Sequence, residues 1–235
     1  MKKLLFCLLP LSALQVPSAH ANLTIHPMRA AVDARQGAQI RVYSQSTQPQ
    51  YVQTRLLRIV NPAAAGEEEL EVEAADAAIA ITPGKFALAG GGNRLIRVIP
   101  LHAVEKEAAY RLYFEGVKGP DEAGLDVDGE GAQANVGVSL VWGALVNVIP
   151  NNGSVDLQLK GSTLLNTGTL RVGITSVADC SADGACSAHE LSHSLYPDAE
   201  VELPFHPKPG STLQLRYRLS RDGHREHVQT LAPAA

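Results

Sequence analysis

Residues 136–150 read VGVSLVWGALVNVIP and form the most regular stretch of the sequence. Apolar side chains occupy alternate positions at Val136, Val138, Leu140 and Trp142, and mostly small residues stand between them. This period of two predicts a β-strand with one apolar face, which ends at a proline that cannot continue a ladder. The pattern is typical of the last strand of a sandwich. The small residues opposite would also let a second layer or another chain approach closely.

On both sides of this stretch the chain reads as short β-strands separated by turn residues. Clusters such as Gly90-Gly91-Gly92-Asn93 supply the turn chemistry. Short strands at this spacing favour an all-β fold made of immunoglobulin-like β-sandwiches over βαβ units. Besides residues 135–148, the predicted strands are 23–25, 39–44, 51–60, 94–100, 110–117, 155–159, 169–177, 200–205, 212–219 and 227–231.

The proline that ends the regular strand also marks a boundary. Residues 149–153 read Ile-Pro-Asn-Asn-Gly, in which the proline stops a ladder and the Asn-Asn-Gly run is turn chemistry. A cut there gives an N-terminal domain of residues 22–150 and a C-terminal domain of residues 151–235, both of ordinary size. We therefore expect two immunoglobulin-like domains.

The first residues have the pattern of a secretory signal peptide. Lys2 and Lys3 precede an apolar run at 4–16, and an A-x-A pattern ends at Ala21. The apolar run is shorter than the roughly 20 residues of a membrane span. We expect residues 1–21 to be removed on export; an uncleaved anchor is the alternative.

Charge and cysteine content narrow the classes of partner and site. The formal net charge is −4 and no basic block occurs, so we expect no nucleic-acid partner. Cys180 and Cys186 form a close pair, which in an oxidising compartment predicts a disulfide across a short loop. A metal site with two cysteine ligands is the competing interpretation.

Residues 189–193 fit the zinc-peptidase pattern H-E-x-x-H, with His189 and His193 as ligands. On a helix the two histidines would share one face, but no long amphipathic helix surrounds them and no third histidine follows at the extended spacing. The acidic loop at 118–133 lacks the regular spacing of a calcium loop. We expect no metal, no cofactor and no enzymatic activity; a zinc peptidase remains the alternative for this pattern.

Several stretches together resemble the periplasmic pilus chaperones, in particular the alternate branch of the colonisation-factor and common-pilus type. They occur in the family's order and cover nearly the whole chain after residue 21. The stretches are 23–32 with Arg29 near the end of a first strand, 81–88 with 94–98, 110–115, 136–150, 165–168, and the pair of Cys180 and Cys186.

The resemblance implies two immunoglobulin-like domains in a boomerang arrangement and a chaperone that works in the periplasm. Such chaperones cap pilus subunits, both pilins and tip adhesins, by lending a strand to a fold that lacks one. They then deliver the subunits to an outer-membrane usher. On this resemblance Val136, Val138, Leu140 and Trp142 are the donor residues. A self-capping dimer of the free protein is also expected, because exposed donor strands pair readily.

The family also anchors the C-terminal carboxylate of the captured pilin with two cations, and Arg29 matches the first. The second is a lysine in the family, whereas Leu145 stands at that position here. Lys160 or Arg171 are candidates for the second cation, or Arg29 acts alone. A structural pilus subunit or adhesin is the remaining alternative. Such proteins usually lack a complete fold, whereas this sequence has its own closing strand.

Overall fold

The computed structural model describes residues 23–73, 75–117, 119 and 140–232, which are almost entirely β-structure. The strands of the first half are β1 (Leu23–His26), β2 (Arg29–Val32), β3 (Ala38–Ser44), β4 (Gln50–Val60), β5 (Glu68–Glu71), β6 (Ile79–Thr82), β7 (Lys85–Leu88), β8 (Asn93–Pro100), β9 (Ala108–Val117) and β10 (Trp142–Val148). Those of the second half are β11 (Leu157–Lys160), β12 (Thr163–Asn166), β13 (Val172–Cys180), β14 (Cys186–Leu195), β15 (Glu200–Glu202), β16 (Thr212–Arg218) and β17 (Glu226–Leu231).

A short 3₁₀ helix at Ser220–Asp222 connects β16 to β17. Within the described ranges, no helix has the length and apolar character needed to cross a membrane.

The first half of the chain folds into two sheets that face each other. One sheet has the order β1-β3-β8-β6, and the other has the order β2-β10-β9-β4-β5 with β7 also paired to β4. Inward side chains of both sheets, among them Ile40, Ile96, Leu112 and Val146, form one buried cluster. Alternate burial along β3 and β8 follows from the period of two in their sequences. The result is a β-sandwich.

The second half repeats this arrangement with smaller sheets. Strands β11-β12-β15 form one sheet and β14-β13-β16-β17 the other. Leu164, Leu170, Leu195 and Leu215 lie in the buried cluster between them. The predicted all-β fold of two immunoglobulin-like sandwiches is confirmed, and each sandwich has its own apolar core.

The disulfide predicted from the cysteine pair is present. Cys180 ends β13 and Cys186 begins β14, and the two sulfur atoms are bonded. The bridge closes the short connection between two antiparallel strands whose register pairs the two cysteines directly. It therefore fixes the tip of the β13–β14 hairpin, and the metal-site interpretation of these cysteines is wrong.

Candidate functional site

Strand β10 has an edge that is only partly covered. Strand β9 pairs with β10 along its whole length, from Trp142 to Val148. Strand β2 runs parallel to β10 on the other side, but their pairing begins only at Leu145, whose N–H donates to the carbonyl of Met28 at 2.9 Å. Over residues 142–144, no strand of the described part of the chain covers this side. The sheet is therefore open to another strand there.

Apolar side chains are exposed next to the open edge. Leu140 and Val141 directly precede β10 and expose 49% and 48% of their surface, and Met28, where β2 begins to cover β10, exposes 50%. Scattered exposed apolar residues are normal in soluble proteins. Here they border an unpaired strand edge, which is the feature that favours addition of a strand from another molecule.

The four alternating apolar residues predicted as donors do not share one environment in the structure. Val136 and Val138 lie outside the described residues. Leu140 is exposed, whereas Trp142 is partly buried and packs against the core of the first sandwich, as do Ala144 and its successors at alternate positions. The face of β10 that forms the core of the first sandwich thus continues towards Leu140.

A cleft between the two sandwiches is lined by three arginines and two histidines, and is called the cationic cleft here for its arginines. It has a volume of about 470 Å³, and its walls include Arg29 from β2, Arg171 and Arg218 from the second half, and His193 and His224. Among the described residues that line it there is no Asp or Glu. Such a cleft suits an anion, because guanidinium groups donate paired hydrogen bonds to carboxylates and phosphates.

Leu145 lies next to Arg29 but faces an apolar cluster. Leu145 and Arg29 are direct partners in the parallel pairing of β10 and β2. The backbones of neighbouring strands lie about 4.8 Å apart. The Leu145 side chain packs against Ile59, Ala109 and Tyr196, which close the junction between the sandwiches. Leu145 therefore adds an apolar contact that joins the two halves and supplies no cation beside Arg29.

Lys160 and Arg171, the two candidates for a second cation beside Arg29, lie in different parts of the structure. Lys160 ends β11 and does not line the cleft. Arg171 does line the cleft, but its side chain is buried and hydrogen-bonded to the hydroxyls of Ser194 and Ser220. Only Arg171 of these two is thus close to Arg29, and most of its donors are already engaged.

Arg171 also belongs to a buried polar network that connects the two sandwiches. Its backbone N–H donates to Glu107 at 2.9 Å, and its guanidinium lies 3.8 Å from the same carboxylate. The amide of Asn147 donates to Glu107 and to the hydroxyl of Tyr196, each at 2.9 Å. Nothing in the sequence pattern indicated this network, because its members come from four separate segments. It joins the two sandwiches beside the cleft that Arg171 lines.

Burial raises the pKa of Glu107 above its ordinary value of 4.5, and the hydrogen bonds and charge of Arg171 offset this only in part. The folded protein therefore binds the Glu107 proton more tightly than the unfolded chain does. This contribution to stability is complete below pH 4.5 and is lost as the pH rises through the raised pKa.

The pH dependence of unfolding tests this assignment. We expect the unfolding free energy of the wild type, minus that of the Glu107→Gln variant, to fall as the pH rises from about 4 to 7. A glutamine side chain does not titrate, so the subtraction leaves the effect of the Glu107 proton. Urea unfolding at a series of pH values measures the difference. A difference that grows with pH would show that the carboxylate is stabilised by its partners rather than penalised by burial.

The H-E-x-x-H pattern does not have the geometry of a zinc peptidase. His189 and His193 lie on β14, not on a helix, and the His189 ring stacks on Phe205 with 4.2 Å between centroids. A bulge shifts the pairing of β14 with β13 between these two residues. His193 instead contributes to the wall of the cationic cleft.

Comparison with known proteins relates this fold to fimbrial assembly. No family model matches the chain. A curated relative, a CS1 fimbrial subunit of Escherichia coli, is 29% identical over 202 residues, which is 82% of this chain and 84% of the relative. The crystal structure of the class 5 fimbriae chaperone CfaA superposes with a TM-score of 0.77 at 22% identity, covering 91% of this chain and all of the other. This chain has the fold of a fimbrial chaperone.

A second solved structure with the fimbrial-chaperone fold comes from work on a chaperone–tip adhesin complex in the biogenesis of CFA/I fimbriae. It has a TM-score of 0.74 at 23% identity and covers 91% of this chain and all of the other. The resemblance predicted from the sequence is confirmed. Within the described part of this fold, the open edge of β10 and the cationic cleft are the two features described above.

Proposed function

We propose that this chain is a periplasmic chaperone that caps pilus subunits by donor-strand complementation and delivers them to an outer-membrane usher. The open edge of β10 beside the exposed Leu140, in a chain with the fimbrial-chaperone fold, carries the proposal. A pilin that lacks a strand could pair its backbone with this edge. The solved structures that the chain resembles are of pilus chaperones, which are not enzymes.

In this proposal Val136, Val138 and Leu140 fill the groove of the pilin, and Trp142, which packs partly against the core of its own sandwich, extends the row. Each buried apolar side chain contributes about 1.5–3 kcal/mol before the cost of ordering is subtracted. Leu140 is suited to this role because its surface is free in the uncomplexed protein. Backbone hydrogen bonds along residues 140–144 then add the pilin to the sheet.

Arg29 anchors the C-terminal carboxylate of the pilin in the cationic cleft. Its guanidinium is exposed and lines the cleft at the point where β2 begins to cover β10. A carboxylate there would accept a charge-assisted pair of hydrogen bonds. The position therefore connects the cleft directly to the end of the open edge.

The remaining assignments complete the proposal. Residues 1–21 are a signal peptide for export to the periplasm, and the domains are residues 22–150 and 151–235. One apolar core on each side supports this division, although Ile149, just before the boundary, packs with the second core. The partners are pilins and a tip adhesin, together with an usher that receives the complex. The free protein forms a self-capping dimer through the same edge, because an unpaired strand next to apolar side chains favours pairing.

Periplasmic co-expression with candidate pilin genes tests the proposed function. We expect a 1:1 complex of this chain and a pilin on size exclusion, because one open edge accepts one strand. The control is the same pilin expressed alone, which should aggregate or be degraded for want of its missing strand. Pilins that stay soluble without this chain, with no complex in its presence, would contradict the proposal.

A structural pilus component is the second candidate, because curated relatives, including one from the CFA/I fimbriae of Escherichia coli, are named as fimbrial subunits. The fold argues against this role. Strand β10 closes the first sandwich with residues of the same chain, so that half does not lack its last strand. Incorporation of the chain into assembled pili would favour this candidate over the chaperone.

A further inference from the structure

We infer that Arg218 supplies the second cation of the carboxylate anchor, so that Arg29 and Arg218 grip one chain-terminal carboxylate from opposite sandwiches. The inference rests on the proposed function and deepens it. Arg29 stands on β2 in the first half and Arg218 ends β16 in the second, and both line the same cleft. The anchor would therefore bridge the two halves, with its second cation on β16 of the second sandwich rather than on β10.

The other arginines near Arg29 are neutralised by carboxylates. Arg111 is the cross-strand neighbour of Leu145 on β9, but its guanidinium pairs with Glu69 at 3.1 Å and Glu67 at 3.3 Å. Arg171 is buried against Glu107. In the described part of the chain, neither Arg29 nor Arg218 forms an ion pair or a side-chain hydrogen bond. These two guanidinium groups thus remain available to a ligand.

The sheet geometry places Arg218 on the cleft face of the second sandwich. Arg218 pairs directly with Gly173 on β13, and Gly173 pairs with Ser194 on β14. Directly opposed residues in a sheet point to the same side. Since Val172 and Ile174 are buried in the core, the row of Ser194, Gly173 and Arg218 faces the cleft.

Gly173 allows two arginines to share this face. A Cβ atom at Gly173 would lie 3.0 Å from Nη1 of Arg171 and 3.3 Å from its Nη2, so the guanidinium occupies the space above the glycine. The positive charge of Arg171 thus lies beside Arg218. Because Arg171 is paired with Glu107, it can pack beside Arg218 without leaving two uncompensated charges on this face.

Glu226 does not neutralise Arg218. The register of β16 and β17 places Glu226 opposite Arg218, but the Glu226 carboxylate accepts from Nη1 of Arg216 at 3.1 Å. The carboxylate is thereby engaged by an arginine two residues away from Arg218 on β16. Among the residues that the structure describes, no carboxylate pairs with Arg218, which lines the cleft opposite Arg29.

The first test compares dissociation constants for a captured pilin. We expect Arg218→Ala to weaken the complex about tenfold to a hundredfold, the range for a lost hydrogen bond to a charged group. Arg218→Lys should recover part of the loss. Arg97→Ala is the matched control, because Arg97 is an exposed strand arginine on the outer side of the other sheet and should leave binding unchanged. Weakening by Arg29→Ala but not by Arg218→Ala would overturn the inference.

A second test needs no pilin and so separates this inference from the proposed function. N-acetylglycine is a chain-terminal carboxylate with one peptide bond, and N-acetylglycinamide is its uncharged counterpart. NMR titration should show that the wild type binds the acid in preference to the amide, and that Arg29→Ala and Arg218→Ala each remove the preference. Equal binding of acid and amide, or binding of inorganic phosphate alone, would overturn the assignment. Loss of pilin capture with the acid preference intact would count against the proposed function only.

Discussion

Replacing Leu140 with aspartate is expected to abolish pilin capture while leaving the free protein folded. Leu140 exposes 49% of its surface in the free protein, so a carboxylate there remains solvated. In the complex the same carboxylate would enter an apolar groove, where burial of an unpaired charge costs several kcal/mol in addition to the lost apolar contact. A penalty of about 4 kcal/mol weakens binding about a thousandfold. Size exclusion after periplasmic co-expression measures the loss.

Val141 offers a matched control for this experiment. It is adjacent to Leu140, exposes 48% of its surface and points to the opposite side of an extended chain. Val141→Asp introduces the same charge at nearly the same place, but outside the row that is proposed to fill the groove. We expect capture to persist in this variant. Equal loss in both variants would show that charge near the edge, not the donor row, determines binding.

Removing the Glu107 side chain is expected to lower the free energy of unfolding by about 3–5 kcal/mol. Glu107→Ala leaves the Arg171 guanidinium buried without its counter-charge and leaves the Asn147 amide without one of its acceptors. The buried ion pair itself need not stabilise the fold, since burial raises the pKa of Glu107. Breaking it is destabilising because an uncompensated buried charge remains. Urea unfolding followed by circular dichroism measures the change.

Lys106→Ala provides the comparison for Glu107→Ala. Lys106 precedes Glu107 and also connects the halves, through an ion pair with Asp198. Both side chains of this pair are more than half exposed, so solvent screens the interaction and its loss should change stability by no more than about 1 kcal/mol. If both substitutions lowered the free energy of unfolding by a similar amount, burial would not be what makes the Glu107 contacts important for stability.

The strands that the sequence predicted well are those with one apolar face buried in a core. Along β16 the side chains alternate between core and exterior, and along β10 Ala144, Val146 and Val148 face the core of the first sandwich as the apolar pattern indicated. The other face of β10 departs from the pattern, because Leu145 and Asn147 are covered at the junction with the second sandwich. Strand β14 was missed because it is an edge strand with one fully buried side chain, so its sequence is largely polar and lacks a regular apolar alternation. A short pattern of two histidines in it resembled a helical metal site instead.

The site was predictable only where a single segment carries it. Leu140 and Arg29 each stand in a recognisable local pattern. Arg218 does not, because the role inferred for it depends on its pairing with Gly173 and on where β16 lies relative to β2. The Glu107 network likewise joins side chains that are distant in sequence. Such convergence follows from tertiary packing, and no local spacing encodes it.

The point at which β2 begins to cover β10 also sets a length limit for any strand that binds there. An incoming strand and β2 share one side of β10, so the newcomer must stop before Leu145, where it meets Arg29. In the proposed function, a truncated pilin would fall short of Arg29 and an overlong one would collide with β2. The arrangement would then select polypeptides whose C-terminus lies at one particular residue.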